Sequence, residues 1–238
     1  MRFAYILILM IFSATCNAQT FIYPENDSIL TEYNDGKLWA YQNKNDYVVG
    51  LTCSEEKDDY GKYYTLHIFI KNLSLSPITF RPDSIYSSLL TKRNDTIQLN
   101  VYTSEEYQKK IKRSQTWSMI LYGLAEGLNA GTAGYSTSYS TSYSPNGYIY
   151  STITQHYDAN AAYQANMAST NRMLTLGQMM EHDRAIREEG YLKTSTIYPN
   201  EAIVGYMHIK RKKGKILTIN IPINGNVYRF DWDVNKKK

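Results

Sequence analysis

The chain has 238 residues, 43% of them hydrophobic, and 26 Lys and Arg against 22 Asp and Glu give a net charge of +4. That length holds one or two domains with a real hydrophobic core, and so slight a positive excess does not argue for nucleic acid as a partner. Two cysteines and four histidines leave little for disulfide or metal chemistry, whereas 23 tyrosines favour rigid, half-wet contact surface.

Arg2 precedes an apolar run from Phe3 to Phe12, then small and polar residues ending in Cys16-Asn17-Ala18-Gln19. A basic start, a short apolar centre and a small residue at the cut site predict a signal peptide over 1–18, cleaved after Ala18. The run is shorter than the roughly 20 residues that span a bilayer. Lipoprotein processing at Cys16 is the minor alternative, opposed by Thr15 and by the lack of a leucine three residues earlier. The expected location is therefore the periplasm or outer envelope. Cleavage leaves Cys53 as the sole cysteine, a small buried hydrophobe near a strand end, so packing alone holds the fold.

Residues 19–36 are rich in turn formers and read as an extended leader. Strand signals follow at Leu38 to Tyr41, Tyr47 to Thr52 and Tyr63 to Lys71, separated by polar turns. In the last of these, Leu66, Ile68 and Ile70 alternate with Thr65, His67 and Phe69, the period of a strand with one buried face. Pro77 to Phe80 and Asp95 to Tyr102 complete a first block of about five strands.

After Tyr102 the period lengthens to that of a helix. Thr103-Ser104-Glu105-Glu106 is a capping box, and the helix continues through Trp117, Ile120, Leu121, Leu124 and Leu128. A second helix runs from an N-cap at Asp158 to a stop at Gly190, with Arg184 and Arg187 near the negative end of its dipole. Their similar lengths predict an antiparallel hairpin. Gly123, Gly127 and Gly131 recur every fourth residue and are expected to face Ala161, Ala162, Ala165 and Ala168, small against small, while Met173, Leu176 and Met180 pack on Ile111 and Trp117. Between the helices, 132–157 reads as a low-complexity Tyr/Ser loop, a disordered connection by composition. Its alternative is a contact tip using Tyr135, Tyr139, Tyr143 and Tyr148.

From Leu192 strands return. Ile203, Gly205, Met207 and Ile209 alternate with Val204, Tyr206 and His208, while Leu217, Ile219 and Ile221, and Tyr228, Phe230 and Trp232, alternate with polar residues. Asn224-Gly225 marks a tight hairpin between the last two. The run Lys210, Arg211, Lys212, Lys213, continuing to Lys215, links two strands and reads as a solvated hairpin turn, with contact to anionic envelope polysaccharide as its functional alternative. Residues 37–102 and 191–234 thus form an immunoglobulin-like antiparallel β-sandwich into which the hairpin of 103–190 is inserted, and 235–238 is a basic tail.

The strings Phe69-Ile70-Lys71-Asn72-Leu73-Ser74, Val101-Tyr102-Thr103-Ser104-Glu105-Glu106-Tyr107 and Ile221-Pro222-Ile223-Asn224-Gly225 resemble secreted β-sandwich proteins of Gram-negative bacteria. That resemblance implies fold and compartment but defines no catalytic or ligand residues. Asp27-Ser28-Ile29, Asp83-Ser84-Ile85 and Asp95-Thr96-Ile97 resemble the pattern of periplasmic O-glycosylation in some of these bacteria, which would mark Ser28, Ser84 and Thr96.

No nucleophile elbow, phosphate loop or paired-cysteine motif occurs, and no cofactor is expected. Glu181-His182-Asp183 spreads about 100° per residue around a helix and reads as surface charge. The segment from Trp117 to Tyr135 has the glycine spacing of membrane helices, but Glu126 opposes a stable span. The leading expectation is a non-catalytic exported scaffold whose hairpin self-associates or binds a protein partner. A glycan- or surface-binding module using exposed tyrosines stands second, and a hydrolase third.

Overall fold

A computed structural model describes residues 20–22, 29–34, 36–143 and 149–235. The signal peptide with Cys16 and Ala18, the glycosylation candidate Ser28, the contact candidate Tyr148 and the last three residues lie outside them. In chain order the strands are β1 (Thr20–Ile22), β2 (Ile29–Asn34), β3 (Lys37–Lys44), β4 (Tyr47–Asp58), β5 (Gly61–Asn72), β6 (Ile78–Phe80), β7 (Tyr86–Leu90), β8 (Thr96–Leu99) and β9 (Val101–Tyr102). Helix α1 (Ser104–Thr132), strands β10 (Tyr135–Tyr143) and β11 (Ile149–Tyr157) and helix α2 (Ala159–Glu188) follow. The chain closes with β12 (Ser195–Ile197), β13 (Ala202–Lys210), β14 (Ile216–Ile223) and β15 (Asn226–Asp233). The class is the expected one: mainly β, an antiparallel sandwich carrying a helical hairpin.

Two compact units divide the chain: one takes residues up to 56, 62–101 and 193 onward, the other 57–61 and 102–192. In the first, a five-stranded sheet runs β1-β15-β14-β7-β8, a six-stranded sheet runs β2-β3-β4-β5-β13-β9, and β12 pairs with β6. Alternation explains the core, because a strand's even and odd positions face opposite ways. Leu217, Ile219, Ile221 and Ile223 are buried while their neighbours are half-exposed. Asn224 and Gly225, both at positive φ, make the β14–β15 turn as the Asn-Gly pair predicts. Buried polar contacts tie one sheet to the other: the Tyr228 hydroxyl donates to the carbonyl of Lys44 at 2.6 Å and lies 3.1 Å from that of Tyr47, while Gln42 Nε2 donates to the Arg229 carbonyl. Burial pushes the Tyr228 hydroxyl up to about 12.

Three expectations are corrected here. Residues 19–36 do not form a mere leader, since β1 pairs with β15 and β2 with β3. Strands β7 and β12 appear where no strand was expected; Ser87 in β7 is fully buried because its hydroxyl donates to the Leu99 carbonyl. Finally, Lys210 to Lys215 is no hairpin turn, because β13 and β14 belong to different sheets. The link passes between layers, and Gly214 is buried where an added Cβ would sit 2.5 Å from Leu89 and 2.7 Å from the Leu90 carbonyl.

Candidate functional site

The second unit begins with the capping box. Thr103 accepts from the Glu106 amide and Glu106 accepts from the Thr103 amide, so α1 starts where the sequence sets it. Asp158 caps α2 by accepting from the amides of Asn160 and Ala161, and Gly190 follows its end at positive φ.

Polar contacts hold the two helices together along an antiparallel register. Gln108 donates to the Arg184 carbonyl at 3.3 Å, and the buried Gln115 donates to the Met180 carbonyl and the Tyr60 hydroxyl, each at 2.9 Å. Glu126, also buried, pairs bidentately with Arg172 at 3.1 and 2.6 Å. That pairing holds the Glu126 carboxyl down to about 2, with hydrogen bonds from Tyr122 and Ser169 helping to outweigh the cost of burial.

At the base of the hairpin, residues 57–61 supply a clasp. Arg187 reaches Asp58 at 2.8 Å and Asp183 at 2.9 Å, and its guanidinium lies 4.8 Å from the Tyr60 ring centre. Tyr60 donates to Asp183 at 2.6 Å, and the fully buried Tyr107 donates to Asp58 at 3.1 Å and stacks on Tyr191. The Tyr191 hydroxyl in turn donates to the Tyr102 carbonyl at 2.7 Å. Burial and the neighbouring Asp58 raise the Tyr107 hydroxyl well above its ordinary range, so it stays a donor at every physiological pH.

The apolar residues of α1 lie elsewhere. At 100° per residue, Ile111, Gln115 and Glu126 share the face turned to α2, and Trp117, Ile120, Leu121, Leu124 and Leu128 share the opposite one. These five are 48–75% exposed. Trp117 is therefore not packed on the second helix as expected, although Ile111 is buried and Met173, Leu176 and Met180 are half-buried.

The small-residue packing is corrected as well. Among the described residues, a Cβ built on Gly127 or Gly131 meets no atom within 4 Å, and one on Gly123 meets only Met173 at 3.4 Å. Ala161 and Ala168 are exposed and Ala165 is half-buried. The close approach occurs at Gly134 instead, where an added Cβ would lie 2.6 Å from the Asp158 carbonyl and 3.0 Å from Ala162. The polar contacts of Gln115 and Glu126 bridge the two helices, and of the three glycines only Gly123 approaches the second helix.

The expected loop is a β-ribbon. Strands β10 and β11 pair antiparallel over nine positions, from Tyr135 opposite Tyr157 to Tyr143 opposite Ile149. Residues opposite one another share a face, so Tyr135, Thr137 and Tyr139 lie with Ile153, Gln155 and Tyr157 on one side. Ser136, Ser138 and Ser140 lie with Thr152, Thr154 and His156 on the other. Tyr135 and Tyr139 are 62% and 76% exposed.

The remaining candidates separate. Lys210, Lys212 and Lys213 are exposed, but Arg211 is largely buried in an ion pair with Glu55 at 3.0 Å, which withdraws it from any contact surface. Ser84 and Thr96 are exposed, the first on a short 3-10 turn and the second at the start of β8. Among the described residues no group of three or more His, Cys, Asp or Glu is placed to hold a metal ion, and no helix is long and apolar enough to cross a membrane. Comparison with family models, with curated proteins and with solved structures gives no match.

Proposed function

We propose that the protein is a non-catalytic exported envelope protein, a β-sandwich scaffold that presents its helical hairpin for self-association or for binding a protein partner. The observation that carries this reading is the inversion of α1 beyond its first two turns: after Tyr107 and Ile111 its buried positions are Gln115 and Glu126, while Trp117, Leu121, Leu124 and Leu128 stand in solvent. Packing alone does not explain that arrangement, because a helix that served only the core would bury its apolar stripe. Contiguous exposed apolar side chains of this kind mark docking surfaces. The basic start and short apolar run before Ala18 support export.

Crosslinking in intact cells, followed by recovery of the envelope fraction, tests both halves. The recovered chain is expected to begin at Gln19 and to appear in species heavier than the monomer, which the double variant Trp117→Ser/Leu121→Ser loses. A full-length cytosolic chain removes the export reading, and a strictly monomeric one removes the association reading.

A glycan- or surface-binding module is the second reading, supported by the segregation of Tyr135, Tyr139 and Tyr157 to one face of the ribbon. It predicts that Tyr135→Ser/Tyr139→Ser lowers retention on envelope polysaccharide by tenfold or more; equal retention of the variant and the parent protein ends it.

A further inference from the structure

We infer that the outer face of α1 seats a second copy of this chain, helix against helix, antiparallel and centred on Leu124. The inference rests on the association role proposed above and names the partner. Three observations point to the copy and to its direction.

The first is self-complementarity of size. In an antiparallel pair with Leu124 on the two-fold axis, Trp117 of one copy lies opposite Gly131 of the other, Leu121 opposite Gly127, and Ile120 opposite Leu128. Large side chains thus meet the two glycines around which the monomer leaves open space, and an isologous interface repeats each contact twice. The glycine spacing that finds no use between α1 and α2 acquires one here, since missing side chains let two helix backbones approach closely.

The second is charge. The first half of α1 carries Lys109, Lys110, Lys112 and Arg113, and the helix has no further cation up to Thr132. A parallel, in-register pair would hold these clusters side by side, roughly 8–10 Å apart between axes. The antiparallel pair separates them by about 36 Å along the helix at 1.5 Å per residue, several screening lengths at physiological salt. Only the antiparallel arrangement joins the apolar halves without opposing the basic ones.

The third is area. Four leucine-sized side chains that each remove roughly 60–120 Å² of apolar surface when buried, together with Trp117 at roughly 150–250 Å², are half to three-quarters exposed and so offer about 240–450 Å² per copy. With the glycine backbone and flanking side chains, two copies reach the roughly 1,000 Å² of total buried surface at which a specific interface begins.

The test uses the mature full chain in solution. Light scattering over a concentration series is expected to show a monomer–dimer equilibrium, with Leu124→Glu and Gly127→Leu each weakening the dimer at least tenfold. Leu124 is exposed and a Cβ at 127 meets no atom of the described residues within 4 Å, so unchanged circular dichroism and melting are expected to accompany that loss. For direction, Ile120→Cys and Leu128→Cys chains are oxidised separately and mixed; Cys53 is buried and stays out of the reaction. Linkage only in the mixture supports the antiparallel pair, and linkage of each variant with itself overturns it. A wild-type monomer, or a dimer indifferent to both substitutions, also overturns it. If the heavier species in cells then contain a different protein, the association function stands without self-pairing; if none form, both readings fall.

Discussion

Trp232→Ala is expected to cost about 4 kcal/mol of stability, near the middle of the range for removing a buried large aromatic. Trp232 is 1% exposed and stands edge-on to Phe21 with ring centres 5.3 Å apart, joining β15 to the short β1. Truncation would leave a cavity between them and undo the anchor of β1. The indole N–H has no hydrogen-bond partner among the described residues although it is buried. An unpaired buried donor is itself unfavourable, so Trp232→Phe, which keeps a ring and discards the donor, is expected to cost less than about 2 kcal/mol. Denaturant titration of the two variants checks this, and equal losses would show that the cavity argument is misplaced.

Arg187→Ala is expected to open the helical unit while leaving the β unit folded. Its guanidinium serves Asp58, Asp183 and the Tyr60 ring together, and without it two carboxylates face each other's neighbours uncompensated. A fully buried pair broken on one side costs about 3–5 kcal/mol. The Arg187 side chain is 27% exposed and its partners comparably wet, so about 2 kcal/mol is the better expectation after screening. Burial opposes the charge of Arg187, but its hydrogen bonds to Asp183 and Tyr107 outweigh that cost and keep it firmly protonated. The signature is local: proteolysis within 102–192 accelerates by tenfold or more while cleavage in the sandwich does not. Adding Asp58→Asn to Arg187→Ala is expected to recover part of the loss by removing one stranded charge. Uniform destabilisation of the whole chain would refute a clasp confined to this unit.

The strands with clean alternation and the two capped helices were legible because each announces itself within a few residues: a period of two, a capping box, an Asn-Gly turn. Strand β1 was hidden by its three-residue length, and its pairing with β15 is a long-range fact; β2 pairs locally with β3, Asn34 opposite Lys37, and was hidden by the turn formers around it. In β7 the signal failed because Ser87 is polar by composition yet buried through one hydrogen bond. The Tyr/Ser segment reads as disorder on a hydrophobicity scale, since both of its faces are hydroxyl-rich, and its period of two becomes visible only when tyrosine and serine are counted separately.

For the candidate site the helices were legible but not their facing. Apolar and small residues in α1 look like core to a reader who assumes that cores are apolar. Gln115 and Glu126 are accepted inside because Met180, Tyr60 and Arg172 satisfy them, and those partners lie 46 to 65 positions away in the chain. No local pattern carries that information.

Residues 57–61 belong with the helices although they join two strands of the six-stranded sheet. The chain therefore passes between its two units four times, where a simple insertion would need two passages. A hairpin cut out at Thr103 and Gly190 would leave Asp58 and Tyr60 behind, and with them the partners of Arg187, Tyr107 and Gln115. The hairpin is thus no cassette to be transplanted onto another scaffold or lost in one deletion: the acceptor must also bring the five-residue turn that completes it.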